Sequence, residues 1–165
     1  MTTKRIVYRR SDGVVEIVNP APKRMAELMS FGLSEDDALV LIRMNAFSHL
    51  PDRGFGPAED WEVMEATDIP QSQPKDREFR NALEKPGMGV PIVNMTKARV
   101  IHSDRITGAK RALARDLLER EMEGEDINTE KAQLRAINVQ GQINSATTPA
   151  TLKAIWPTVL DRFRR

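Results

Sequence analysis

Hydrophobic and polar positions change period several times along this chain, and the changes divide it into elements. Lys4 to Arg9 and Val14 to Val18 are rich in β-branched residues and flank Ser11-Asp12-Gly13. Asp and Gly tolerate the positive φ of a tight turn, so the two runs predict a β-hairpin. Asn19-Pro20-Ala21-Pro22 ends the second strand, because proline removes ladder donors, and a short helix over Lys23 to Met29 follows. Gly32 stops it. Ser34 is placed to cap a second helix reaching about Phe47, with Glu35, Asp36 and Asp37 in the first turn where the helix dipole favours anions.

From His49 to Pro57 the chain reads HLPDRGFGP, two prolines and two glycines in nine residues, which predicts an ordered loop. Trp61 to Ala66 alternates apolar and acidic residues like a half-buried strand, and Asp68 to Pro74 is a second loop. Asp76 to Leu83 predicts a short helix with Phe79, Ala82 and Leu83 on one face. Lys85-Pro86-Gly87 ends it, and Val90 to Val93, interrupted by Pro91, suits an edge strand.

The second part has a helical period. From Asn94 or Thr96 to about Glu123 there is no proline, and Met95, Ala98, Ile101, Ile106, Ala109, Leu113 and Leu117 recur near the spacing of a helix of about 40 Å. Gly124-Glu125-Asp126 breaks it, and Asn128 or Thr129 caps a second helix running through Leu134 to Ile137, giving an antiparallel helical hairpin. Thr148-Pro149 starts a last short helix bearing Leu152, Ile155 and Trp156, and the final DRFRR reads as a mobile basic tail. The expected fold is α+β: residues 1–93 form a small domain with a β-hairpin, and residues 94–165 form a helical hairpin with a short Trp-bearing helix.

Composition narrows the chemistry. The 165 residues suffice to bury a core, but only 5% are aromatic, so that core must come from Ala, Leu, Ile, Val and Met. The absence of cysteine excludes disulfides, thiolate nucleophiles and Cys-based zinc sites. Met-Thr-Thr-Lys-Arg is followed only by the short apolar stretch Ile6, Val7 and Tyr8, too short for a signal-peptide core, so the chain is expected to be made and kept in the cytosol. The formal charge is +1, with 12 basic against 15 acidic residues in 1–93 and 13 against 9 in 94–165. Opposite signs on the two parts suit their packing together or the association of two copies.

No residue set has the spacing of a catalytic, cofactor or metal site. His49 and His102 lack metal-ligand partners at the usual spacing and are read as surface or capping residues. Glu35, Asp36 and Asp37 lack an EF-hand frame, and Gly54, Gly56, Gly87 and Gly89 are turn glycines rather than a phosphate loop. Lys97, Arg99, Arg105, Lys110, Arg111 and Arg115 spread around the long helix among acids, which describes a solvated face and not a nucleic-acid stripe. Trp61 is expected in the core, and Trp156 is expected against the long helix with an interface as its other role. The reading is of a non-enzymatic protein without cofactor or metal.

The segments KARVIHSDRITGAKRALARDLLEREMEGED, EKAQLRAIN and INSATTPATLKAIWP carry a further likeness. They resemble a module of small proteins encoded near tail-fibre genes of phages and prophages, especially in alphaproteobacteria. That module has a long basic helix, a K-Q-x-L-R-D-like core and an A-T-T-P-x-x-L-K-x-x-W-P ending. Lys131, Gln133, Leu134, Arg135 and the run Ala146 to Pro157 match it, while Ala136 stands where the module has Asp and Asn138-Val139 replace a proline-containing turn. RIVYRRSDGVVEIVNPAP and DREFRNALEKPGMGVPIVNMTKAR also look like these proteins, whereas residues 30–60 are less similar and are the place for a special partner contact.

The resemblance implies a virion-associated structural or adaptor protein of the tail or tail fibre, made in the host cytoplasm and located in the virion. It binds other tail proteins, with homo-oligomers in scope and membrane and nucleic acid not expected. An assembly chaperone absent from the mature particle is the second reading, and a small DNA-binding regulator is the third. The expected partner-binding face is the long helix with Ile106, Leu113, Leu117 and Trp156 as anchors, at the spacing of a helix-in-groove contact.

Overall fold

The computed structural model describes residues 3–70 and 74–164, so Gln71, Ser72 and Gln73 of the expected second loop lie outside it. The architecture is α+β and the chain divides into two compact units, Met1–Asn94 and Met95–Arg165.

The first unit is built around β1 (Lys4–Arg9), the middle strand of an antiparallel sheet ordered β2-β1-β3, where β2 is Val15–Val18 and β3 is Glu59–Glu65. The hairpin turn closes through Gly13, at φ 82°, and the Val14 amide donates to Asp12 Oδ1 at 3.2 Å. Ile6, Val7 and Tyr8 are buried in succession because both faces of β1 are covered. On one face Val7 packs with Val15, Ile17, Ile69 and Leu83. On the other, Tyr8 meets Phe47 edge to face at 4.8 Å. Phe47 belongs to α2 (Glu35–Ser48), which Ser34 caps by accepting from the Asp37 amide at 3.1 Å. Pro22 opens α1 (Pro22–Ser30), whose Met25 and Leu28 pack on Ala38 and Leu39 of α2.

The expected helix over Asp76 to Leu83 is instead a 3-10 turn, Pro74–Ala82, followed directly by β4 (Leu83–Glu84), which pairs with β5 (Ile92–Val93). A three-residue period places Phe79 and Ala82 on one side, and both are buried. Leu83 is also buried, but as a strand residue.

The second unit has α3 (Met95–Met122) as its axis. Ala98, His102, Ile106, Ala109, Leu113 and Leu117 form its buried stripe, advancing three or four residues at a time. Helices α4 (Asn128–Ala136), α5 (Gln140–Ser145) and α6 (Pro149–Ala154) and the 3-10 turn Thr158–Phe163 all pack on α3. Gly124, at φ 86°, reverses the chain after α3, with the Glu125 amide returning to the Arg120 carbonyl at 3.0 Å.

Several local expectations change here. Neither Asn128 nor Thr129 caps α4: Ile127 holds that position, and Asp126 Oδ1 accepts from the Asn128 amide at 3.1 Å. Helix α5, not expected from the sequence, carries a single buried apolar residue, Ile143. Thr148 and Thr151 form a reciprocal capping box on α6, but the helix stops at Ala154, leaving Ile155 and Trp156 beyond it. Pro157 disfavours helical backbone at Trp156. His102 is not a surface residue: it is fully buried, and its Nε2–H donates to the Ile155 carbonyl at 2.7 Å. Residues 161–164 of the basic tail are docked rather than mobile, because the preceding Leu160 is buried, Arg162 pairs with Asp116, and Arg164 donates to the Lys153 carbonyl at 2.9 Å; Arg165 lies outside the described residues.

Two outcomes test this packing. Leu160→Ala is expected to lower the unfolding free energy by about 2–5 kcal/mol in urea titrations, the cost of a buried leucine cavity, whereas a mobile tail would give no change. Burial lowers the His102 pKa from 6.5; the bond to Ile155 opposes this and the Arg164 charge adds to it. The unfolded chain therefore takes up the proton first, and stability is lost as pH falls below 6.5. Urea midpoints should drop between pH 7.5 and 5.5, with a shallower slope in His102→Gln.

Candidate functional site

Ile106, Leu113 and Leu117, expected as partner anchors, are buried inside the second unit by its own helices. A helix that already packs four short segments along its apolar stripe has no such stripe left to offer. Trp156 packs against α3 as expected: its ring lies 6.1 Å from that of His102, and Arg105 and Arg164 each lie 5.8 Å from its centre. The basic residues of α3 are used internally in part, since Arg99 donates to the Ala146 carbonyl at the end of α5 at 2.8 Å.

An open, mainly apolar concavity of the first unit lies beside Trp61. The HLPDRGFGP loop builds one wall. Leu50 is its buried anchor, Pro51–Arg53 form a single 3-10 turn, and Gly54, at φ 79°, lets the Phe55 amide return to the Leu50 carbonyl at 3.0 Å. The Gly56 amide donates to Ser11 Oγ at 3.0 Å, tying the loop to the hairpin turn. A Cβ at Gly56 would sit 3.3 Å from Ser11 Cβ, so the close approach favours glycine there.

Glu16 is the electrostatic centre of that wall. Its carboxylate accepts from Tyr8 Oη at 2.6 Å, Arg10 Nη1 at 2.8 Å and Arg53 Nη2 at 3.0 Å. Both guanidinium groups lie over Phe55, Arg10 at 3.8 Å and Arg53 at 5.4 Å from the ring centre. Burial pushes the Glu16 carboxyl upward, but the bonds from Tyr8, Arg53 and Arg10 outweigh it and bring the pKa down to about 2. Burial, then the bond to Glu16, holds the Tyr8 hydroxyl well above its usual pKa.

The groove has a volume of about 560 Å³ and is lined by Met44, Phe47, Pro51, Phe55, Pro57 and Trp61. That size falls in the range of ordinary binding clefts. Met44 is 58% exposed and Trp61 41%. Trp61 is thus not a core residue. It lies on the Tyr8 face of the sheet at the margin of α2, where the Arg43 guanidinium lies 3.9 Å from the ring centre. The β1–β3 register shifts between Val7 and Arg9, and Asp60 opposite that shift has φ 47°, so a bulge precedes the tryptophan.

The remaining candidates have local explanations. His49 is exposed, with Nδ1 3.7 Å from Asp52. Asp36 pairs with Lys4 at 2.9 Å. Among the described residues no group of three or more His, Cys, Asp or Glu side chains is arranged to hold a metal, and no helix is long and apolar enough to cross a membrane. Phe55, Met44 and Arg43 were not singled out in the sequence. They fall within residues 30–60, the stretch marked for a special partner contact, and the Gly-Phe-Gly spacing inside a proline-bounded loop was a further signal for Phe55.

Because the folded Glu16 pKa lies below the usual 4.5, its contribution is present above that pH and is lost as pH falls toward 2. Urea unfolding from pH 5 to 2.5 should show this loss, and Glu16→Gln should flatten it while increasing amide exchange across residues 51–56. Compared with protein-family models, curated proteins and solved structures, the chain matches none of them.

Proposed function

We propose that this protein acts by binding other proteins, as a non-enzymatic structural or adaptor component of a tailed-phage tail or tail fibre. The observation that carries the binding reading is Trp61, a large aromatic exposed beside an apolar groove on a braced wall. Buried aromatic anchors dominate the energetics of protein interfaces, and a preformed groove reduces the ordering needed on association. The tail assignment rests on the resemblance of the second unit, whose three quoted segments form its packed helices and their connections. The contact surface is assigned to the first unit, because Ile106, Leu113 and Leu117 are core residues.

Mass spectrometry of washed phage particles tests the assignment. A fixed copy number relative to the major tail protein is expected. Absence from particles with abundance in infected-cell lysate would replace the structural role by that of an assembly chaperone, and absence from both would end the phage reading. In pull-downs of the tail fraction, Trp61→Ala is expected to weaken capture about 30-fold, the equivalent of a 2 kcal/mol hot spot. Unchanged capture by the folded variant would remove the groove from the interface.

A further inference from the structure

We propose that the free edge of β3 takes up an extended, basic segment of the partner protein, which becomes a fourth strand of the β2-β1-β3 sheet. The proposal rests on the protein-binding reading above and names the chemistry of the segment bound.

Among the described residues β3 pairs with β1 alone, which leaves the backbone groups of its other side without a strand partner. Among the described residues, no loop or turn backbone bond reaches residues 60–64 from that side. Instead that side is an open cleft of about 600 Å³, lined by Asp60 to Met64 and by Met88 from the loop before β5. Exposed edges are commonly blunted by bulges and charges. Here the bulge is confined to the start of the strand, and Glu62 to Glu65 keep a regular register with Lys4 to Val7.

The side chains beside this edge select the segment. Val63 lies opposite Ile6 and Glu65 opposite Lys4, which puts Trp61, Val63 and Glu65 on one face at alternate positions. Trp61 and Val63 are both exposed, and Met88 beside them is 69% exposed. Cross-strand neighbours on an added strand would stand about 5 Å from these residues. The segment therefore needs two apolar residues at alternate positions and a basic residue two further on, opposite Glu65.

Charge decides between a foreign segment and a second copy. Glu59, Asp60, Glu62 and Glu65 line seven residues of strand. Arg9 serves both Glu59 and Asp60, Lys85 serves Glu62, and Lys4, opposite Glu65, is shared between Glu65, Asp36 and Glu35, while Glu65 also accepts from Thr3 Oγ1. The edge keeps an acidic surplus. Pairing two β3 edges would set that surplus against itself, and like charges opposed across strands destabilise the pair. A basic segment gains from the same field. Main-chain bonds along β3 supply affinity, and the groove beside Trp61 supplies side-chain selection.

The test is selection of random dodecapeptides displayed on a carrier against the full chain, followed by synthesis of the enriched peptides. The expected consensus has apolar residues at i and i+2 with Lys or Arg two positions away. Methylating alternate backbone amides of an enriched peptide should weaken binding at least tenfold, and the bound peptide should slow amide exchange over residues 61–65. Glu65→Lys should exchange the basic preference for an acidic one. Enriched peptides that are proline-rich or helically spaced, and that are lost in Trp61→Ala, would overturn the strand proposal and leave the groove standing. No enrichment sensitive to Trp61→Ala would overturn both.

Discussion

A chain with so few aromatic residues must make most of its core from aliphatic side chains, and it does so by surrounding one central element in each unit. In the first unit that element is β1, where Ile6, Val7 and Tyr8 need cover on both faces. The cover comes from partner strands and Leu83 on one side and from α2 on the other. Everything else in the unit is placed by this demand. The α1–α2 pair forms a separate small cluster, and β3 is left at the edge with Trp61 at the margin of α2. In the second unit α3 plays the central part, and four short segments, each too short to be stable alone, are held by its buried stripe.

Charged groups then shape the surface that the aliphatic core leaves open. Glu16 draws Arg10 and Arg53 onto the ring of Phe55, so the loop after α2 is held by ions and an aromatic ring as well as by its buried Leu50. Lys85 does the same for the loop before β5: its fully buried ammonium donates to Glu62 and to the carbonyls of Gly87 and Gly89, each at 2.9 Å. A buried charge with all its donors satisfied keeps its neighbours in one arrangement, because removing any partner leaves an uncompensated ion. Both braced loops border β3, which is why the groove and the open strand edge are preformed features of this unit.

Local chemistry was legible in the amino-acid sequence at most helix and turn boundaries whose signal and partner lie within about four residues, though not at the start of α4, where Asp126 and not the expected cap accepts the Asn128 amide. Asp12-Gly13 closes the hairpin, Ser34 caps α2, Gly124 ends α3, and Thr148-Pro149 opens α6, because each of these bonds is made by the nearest turn of backbone. The apolar stripe of α3 was legible for the same reason, as a repeat within one helix. Asp76 to Leu83 was only half legible: its buried face was right, but Leu83 was drawn into a strand by pairing with Val93, ten residues on.

Only the tertiary structure decided which apolar faces are covered and by what. His102 is buried because the Ile155 carbonyl arrives from 53 positions away, and Leu160 is docked although its neighbours read as a charged tail. Ile106, Leu113 and Leu117 form a stripe that periodicity cannot assign to a core or to an interface, and the short segments of the same unit settle it as core. Trp61 goes the other way: alternation marks it as one face of a strand, but the extent of α2 leaves that face exposed. The physical reason is common to all four. A pattern records how side chains are spaced along one element, while burial depends on whether another element, distant in sequence, comes to lie on them.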